Sequence, residues 1–260
     1  MTVDATDGDE KRPGRLRDAG GQASEFDDYS DDYCGGCEVS FKRLLGRDLS
    51  SYAGVKAEWL LRDLARRGWA PLVEKAAPRL LDYGCGTGIL LASLRRLGFA
   101  GELQGVDVSA GMLEEAARQW KDGELPPLQQ IRGGRAPYPD GSFDVVAASA
   151  VFHHVMLADR PGVFRDIARM LDRGGRAYVF EHNPLNPVTR FIVSRTPIDE
   201  DAILLRATEV RRGLEAAGLQ DIRTKYLMFF PPALPWLRPL ERGLGWIPMG
   251  GQYVVVATAG

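Results

Sequence analysis

Leu80-Leu81-Asp82-Tyr83-Gly84-Cys85-Gly86-Thr87-Gly88 (80–88) is the stretch on which the reading of this chain turns. A short expected strand, 79–83, leads straight into three glycines at alternate positions. A helical pattern over 89–97 follows, with Leu90, Leu91 and Leu94 on one face. Glycines let a backbone turn tightly and lie against a ligand where a Cβ would collide. A loop of this kind at the carboxyl end of a first strand sits where open α/β sheets bind their ligands.

Outward from this loop, apolar and polar residues alternate between the two regular periods. Strands are expected at 103–108, 128–131, 143–149, 177–181, 222–229 and 253–257. Between them lie a helix capped by Ser109, a helix carrying 165–171 and stopped by Asp172-Arg173-Gly174-Gly175, and a helix at 208–217. A further helix, closed by Gly68 and Pro71, precedes the first strand and presents Ala57, Leu60, Leu61 and Leu64. Strands alternating with helices give an α/β fold: a doubly wound, mostly parallel seven-stranded sheet with helices on both faces. Two inserts stand out, 183–205 and 231–251.

The chain has 260 residues, 45% hydrophobic and 26% charged, with a formal net charge of −2. That balance offers no polyelectrolyte surface for nucleic acid. Residues 1–32 hold ten acids and four bases, so 1–25 reads as a disordered acidic tail and 26–260 as one domain. No apolar run reaches the length of a transmembrane segment, and three cysteines make no disulfide framework, so the expected compartment is cytoplasmic.

The glycine loop excludes two common ligands. A dinucleotide fingerprint needs a glycine at position 89, which is Ile89, and a P-loop needs a Gly-Lys-Ser/Thr sequence that does not follow. Asp107 ends the second strand 21 residues after Gly86, where a carboxylate can accept the ribose hydroxyls of an adenosine.

LLDYGCGTG (80–88), GVDVSAGML (105–113), PYPDGSFDVV (137–146), VFHHV (151–155) and RDIARMLDRGG (165–175) together resemble the class I S-adenosylmethionine-dependent methyltransferases. The likeness is to their small-molecule branch, methyltransferase type 11-like, with its Rossmann-like sheet. The resemblance implies S-adenosyl-L-methionine as cofactor and methyl transfer to a small-molecule acceptor, a lipophilic or biosynthetic intermediate. It sets Gly84, Gly86, Gly88 and Asp82 at the methionine part, Asp107 at the ribose, and Val108 and Met112 beside the adenine. Arg132 stands where many relatives carry an acid for the adenine amino group, and an arginine cannot accept that hydrogen bond. A catalytically inactive cofactor-binding scaffold or regulatory protein is the competing reading.

The three histidines, His153, His154 and His182, all fall at carboxyl ends of expected strands. A protic acceptor needs a base, and His154 and His182 are the catalytic candidates. A 2-His-1-carboxylate metal set is disfavoured here, because neighbours on one strand diverge; the same rule lets only one of Glu181 and His182 face the crevice. Cys34-Gly35-Gly36-Cys37 has metal-like spacing without a second pair, so no metal site is assigned. Tyr29 and Tyr33 lie in an aromatic, acidic entry segment that could close over a cofactor. Arg190 and Arg195 could pair with an anionic acceptor. The inserts 183–205 and 231–251 are expected to form a substrate cap, and the apolar segment 229–250 offers a surface for a homodimer or for peripheral membrane contact.

Overall fold

The computed structural model describes residues 49–74, 76–196, 199, 201–230 and 235–260. The acidic tail, the Tyr29–Tyr33 entry and the Cys34–Cys37 segment lie outside the described residues.

Helix α1 (Leu49–Arg66) precedes β1 (Leu80–Tyr83), and α2 (Ile89–Arg96), β2 (Leu103–Asp107), α3 (Ala110–Gln119) and β3 (Leu128–Gln130) follow. Then come β4 (Phe143–Ser149), α4 (Arg160–Met170), β5 (Leu171–His182), α5 (Pro187–Val193) and α6 (Ala207–Ala216). The chain ends with β6 (Gln220–Leu227), α7 (Arg238–Leu244) and β7 (Gln252–Thr258). The seven strands run in the order β3-β2-β1-β4-β5-β7-β6. β1 to β5 pair in parallel, whereas β7 is antiparallel to both β5 and β6. The seven-stranded, mostly parallel sheet expected from sequence is present.

β1 is buried at every position because helices cover both faces of a parallel sheet. Leu80, Val145 and Tyr178 belong to a core shared with Leu60 and Leu64 of α1 and Leu91 and Leu94 of α2. Leu81, Val146 and Val179 face the opposite core, with Phe164 and Ile167 of α4 and Val210 and Leu214 of α6. Successive residues of one strand therefore serve opposite cores, as a period of two requires.

One expected stop becomes part of a strand. Asp172-Arg173-Gly174-Gly175 was expected to end a helix, but β5 begins at Leu171. Phe143 pairs with Leu171 and Val145 with Arg176, so the intervening residues form a bulge that absorbs the extra length. The sheet reverses its winding at β1, which has β2 on one side and β4 on the other. Open α/β sheets bind ligands outside the carboxyl ends of their strands at such a switch point.

Candidate active site

The glycine loop leaves β1 at Tyr83 and enters α2 at Ile89, with Gly84, Gly86 and Gly88 all at positive φ. At Gly84, φ is +72° and a Cβ would lie 2.5 Å from Val151 Cγ2, so only glycine fits beside the segment after β4. Above Gly86 the space within 4 Å is open, a cradle that a ligand can enter.

Asp107 ties this loop to β2. Its Oδ2 accepts from the Gly86 amide at 2.8 Å and its Oδ1 from the Ser109 amide at 2.9 Å. Ser109 in turn caps α3, its Oγ accepting from the Met112 amide at 3.1 Å, so the capping role falls to the expected residue. Met112 is buried, whereas Val108 is 46% exposed at the mouth of the crevice. Arg132 Nε donates to Gln130 Oε1 on the surface, and Gln130 Nε2 donates in turn to the Val108 carbonyl.

Asp82 pairs in register with Gly105 and Ala147 at the centre of the sheet and is 1% exposed. Its Oδ1 has no hydrogen-bond partner among the described residues. Burial first, and the Asp107 charge next, push its carboxyl up to about 7 against the pull of Lys56.

Lys56 is one of two residues that sequence reasoning missed. It lies 6% exposed on α1 and donates to Ser149 Oγ at the end of β4, at 2.8 Å. Burial lowers its ammonium to about 8, although the charges of Glu181 and Asp82 oppose that fall. A signal was present: Lys56 stands four residues before Leu60 and eight before Leu64, on the stripe that α1 buries.

Beside this crevice, β4 ends at Ser149 and Ala150 takes a φ of +62°, a conformation that turns the chain sharply. The following residues pass close to β5. Glu181 accepts from the Val151 amide at 3.0 Å and the Phe152 amide at 2.6 Å, and its Oε2 lies 2.6 Å from His153 Nδ1. The two adjacent histidines are thus on a turn, not on a strand, and the expectation that their rings diverge is overturned. Their ring centroids are 4.1 Å apart. His182 also approaches, its ring 5.1 Å from that of His153, so Glu181 and His182 both reach this turn despite being strand neighbours.

Asp199, which sequence gave no reason to select, completes the group from the first insert. Its Oδ1 lies 3.6 Å from His153 Nε2 and 3.5 Å from His154 Nε2. Burial opposes charge on His153, but Glu181 and Asp199 flank it and lift the imidazole to about 9. Burial and the neighbouring His153 charge lower His154 to about 4 and His182 to about 3. Burial would raise Glu181, yet the His153 charge and the hydrogen bonds it receives bring it to about 2.

The two inserts meet over this end of the sheet. Asn183 Nδ2 donates to the Pro248 and Gly250 carbonyls, Asn186 Nδ2 to that of Met249 and Thr189 Oγ1 to that of Gly251. Arg195 lies with its guanidinium 5.2 Å from the Phe191 ring centroid. No helix among the described residues is long and apolar enough to cross a membrane.

A glycine cradle, an orphaned buried carboxylate and an acid closing β2 fit the amino-acid and ribose ends of an adenosyl sulfonium. Fold and glycine loop together are similar to those of the class I S-adenosylmethionine-dependent methyltransferases. The family described as a methyltransferase domain matches residues 81–179. The demethylmenaquinone methyltransferase of Thermotoga maritima is 34% identical over 146 residues, covering 55% of this chain and 57% of that protein. An aklanonic acid methyltransferase of a Streptomyces species is 34% identical over 101 residues, or 38% of this chain and 45% of that one. The chain therefore spans about half the length of these curated relatives. Among solved structures, a methyltransferase of Thermotoga maritima described as a possible histamine N-methyltransferase superposes with a TM-score of 0.61 at 16% identity. It covers 90% of this chain and 98% of that one, a likeness of fold.

Proposed function

We propose that this chain transfers a methyl group from S-adenosylmethionine to a small lipophilic acceptor of the quinone or polyketide kind. The observation that carries the reading is the buried, orphaned Asp82 carboxyl beside a glycine loop that Asp107 fastens to β2. In this reading Asp82 takes the ammonium of the methionine part and Lys56 its carboxylate, a pairing of opposite charges with a zwitterion. Gly84, Gly86 and Gly88 let the backbone lie against it. Asp107, at the end of β2, accepts the ribose hydroxyls, and Val108 and Met112 flank the adenine.

When bound, the sulfonium supplies an already activated methyl group, so the protein's work is positioning and exclusion of water. The cap of 183–205 and 231–251 suits that work. Leu185, Val188, Phe191 and Trp246 on the two inserts are exposed apolar groups that favour a lipophilic acceptor. The names of the relatives, which act on demethylmenaquinone and aklanonic acid, support the same acceptor classes. His154 and His182 stand unprotonated at neutral pH and can accept a proton. With such low affinity they suit a strongly acidic proton, as on a ring carbon that has just gained a methyl group.

Calorimetric titration with S-adenosylmethionine, S-adenosylhomocysteine and NAD tests the cofactor assignment, and failure to bind either sulfur compound overturns it. Transfer of labelled methyl to a demethylmenaquinol or to a polyketide acid tests the acceptor. Binding without transfer to any acceptor of these classes favours the scaffold reading.

A further inference from the structure

We propose that His153, His154 and Asp199 form a binding site for a divalent transition-metal ion, a 2-His-1-carboxylate set with coordination positions left for an oxygen donor. The three ligand atoms lie within 4.8 Å of one another. A tetrahedral ion with bonds of 2.0–2.1 Å holds its ligand atoms about 3.3 Å apart. Asp199 Oδ1 is 3.6 Å from one imidazole Nε2 and 3.5 Å from the other, within a few tenths of an ångström of that spacing.

The surroundings are those of a supported ligand. Glu181, fully buried and held by the Val151 and Phe152 amides, faces His153 Nδ1 and fixes that nitrogen as a donor. A carboxylate behind a histidine in this way orients the ring and leaves Nε2 for the ion. A metal takes the place of the Nε2 proton on His153, which is released to solvent. His154 ligates as the neutral imidazole. Its side chain is 19% exposed and that of Asp199 11%, whereas that of His153 is 1%, so the cluster meets solvent from the His154 and Asp199 side. Imidazole and carboxylate donors together suit zinc, iron, manganese or cobalt rather than magnesium or calcium. A phenol or enol oxygen of an acceptor on that ion loses its proton more readily.

Zinc binding tests the site without any methyl-transfer assay. The full chain carrying Cys34→Ser and Cys37→Ser, which removes competing thiolates, is stripped with a chelator and titrated with zinc chloride in equilibrium dialysis. One equivalent should bind at micromolar concentration. Asp199→Asn and His154→Ala should each weaken it by about 10-fold or more, and Glu181→Gln by about 10–100-fold through loss of ring orientation. Cobalt loading should give a ligand-field absorption that Asp199→Asn alters, and thermal unfolding confirms that each variant is folded. No zinc binding at micromolar concentration, or binding undiminished by either Asp199→Asn or His154→Ala, overturns the site.

Discussion

Replacing Asp82 by asparagine should make the cofactor-free protein more stable while making it a poorer binder. The Asp82 carboxyl sits at the middle of the sheet with one oxygen unpartnered, and burial together with Asp107 raises it from 3.8 to about 7. The unfolded chain ionises this group near 3.8, whereas the folded chain holds the proton until about 7. Its contribution to stability is therefore full below pH 3.8 and is lost as pH rises through 7. A rise of about three pH units corresponds to about 4 kcal/mol, lost between those limits. Asparagine removes this charging but leaves a buried polar group short of a partner, a cost of about 1–3 kcal/mol at every pH. The variant should gain about 1–3 kcal/mol on the wild type at pH 8 and fall about 1–3 kcal/mol below it at pH 4.

Urea unfolding of both proteins without cofactor, at intervals from pH 4 to pH 8, measures that difference directly. With S-adenosylmethionine the order should reverse. Loss of a charge-assisted contact to the ammonium weakens binding by about 1.5–3 kcal/mol, about 10- to 100-fold. A stability difference that stays flat between pH 4 and pH 8 refutes the reasoning, because Asp82 is then not the group that titrates. Unchanged cofactor affinity refutes its place in the site.

Lys56→Met, which removes the cation that holds the Asp82 carboxyl down, should move the same titration above about 7 and weaken cofactor binding; urea unfolding against pH and calorimetry read the two effects. Asp107→Ala should weaken cofactor binding by about 1–3 kcal/mol, and also cost stability because the Gly86 and Ser109 amides lose their acceptor. Paired calorimetry and denaturation separate those losses. Gly84→Ala should destabilise by about 2–3 kcal/mol, since it meets both a φ of +72° and Val151. Adding Val151→Ala should recover the steric share but not the backbone share, as measured by thermal unfolding.

Much of this architecture could be read from the chain because strands buried on both faces and amphipathic helices leave strong periodic signals. The glycine loop, Asp107 and the Ser109 cap depend on contacts between residues close to a strand end, so spacing alone located them. Groups held by distant elements were not legible in the same way. Lys56 reaches Ser149 across 93 positions, and Asp199 meets the histidines through an insert with no regular pattern to fix its path. The adjacent histidines were misjudged for a local reason. Ala150 leaves the extended region one residue beyond β4, so the alternation that governs strand neighbours ceases just before His153.

If Lys56 and Asp82 hold the amino-acid end as proposed, the crevice should prefer a zwitterion to a simple nucleoside. Each is buried, and each is pushed toward its neutral form, the ammonium down to about 8 and the carboxyl up to about 7. They act on one another electrostatically, and Lys56 directs one of its three donors to Ser149. A ligand bearing both an ammonium and a carboxylate gives each a partner of opposite sign, restores both to their charged forms and takes up the unused acceptor of Asp82. An adenosine lacking the amino-acid end relieves neither. Its affinity should fall below that of S-adenosylhomocysteine by more than the loss of contact area alone, and most of that excess should vanish in the Asp82→Asn, Lys56→Met double variant. A discrimination that survives the double change would locate the recognition of the amino-acid end elsewhere in the chain.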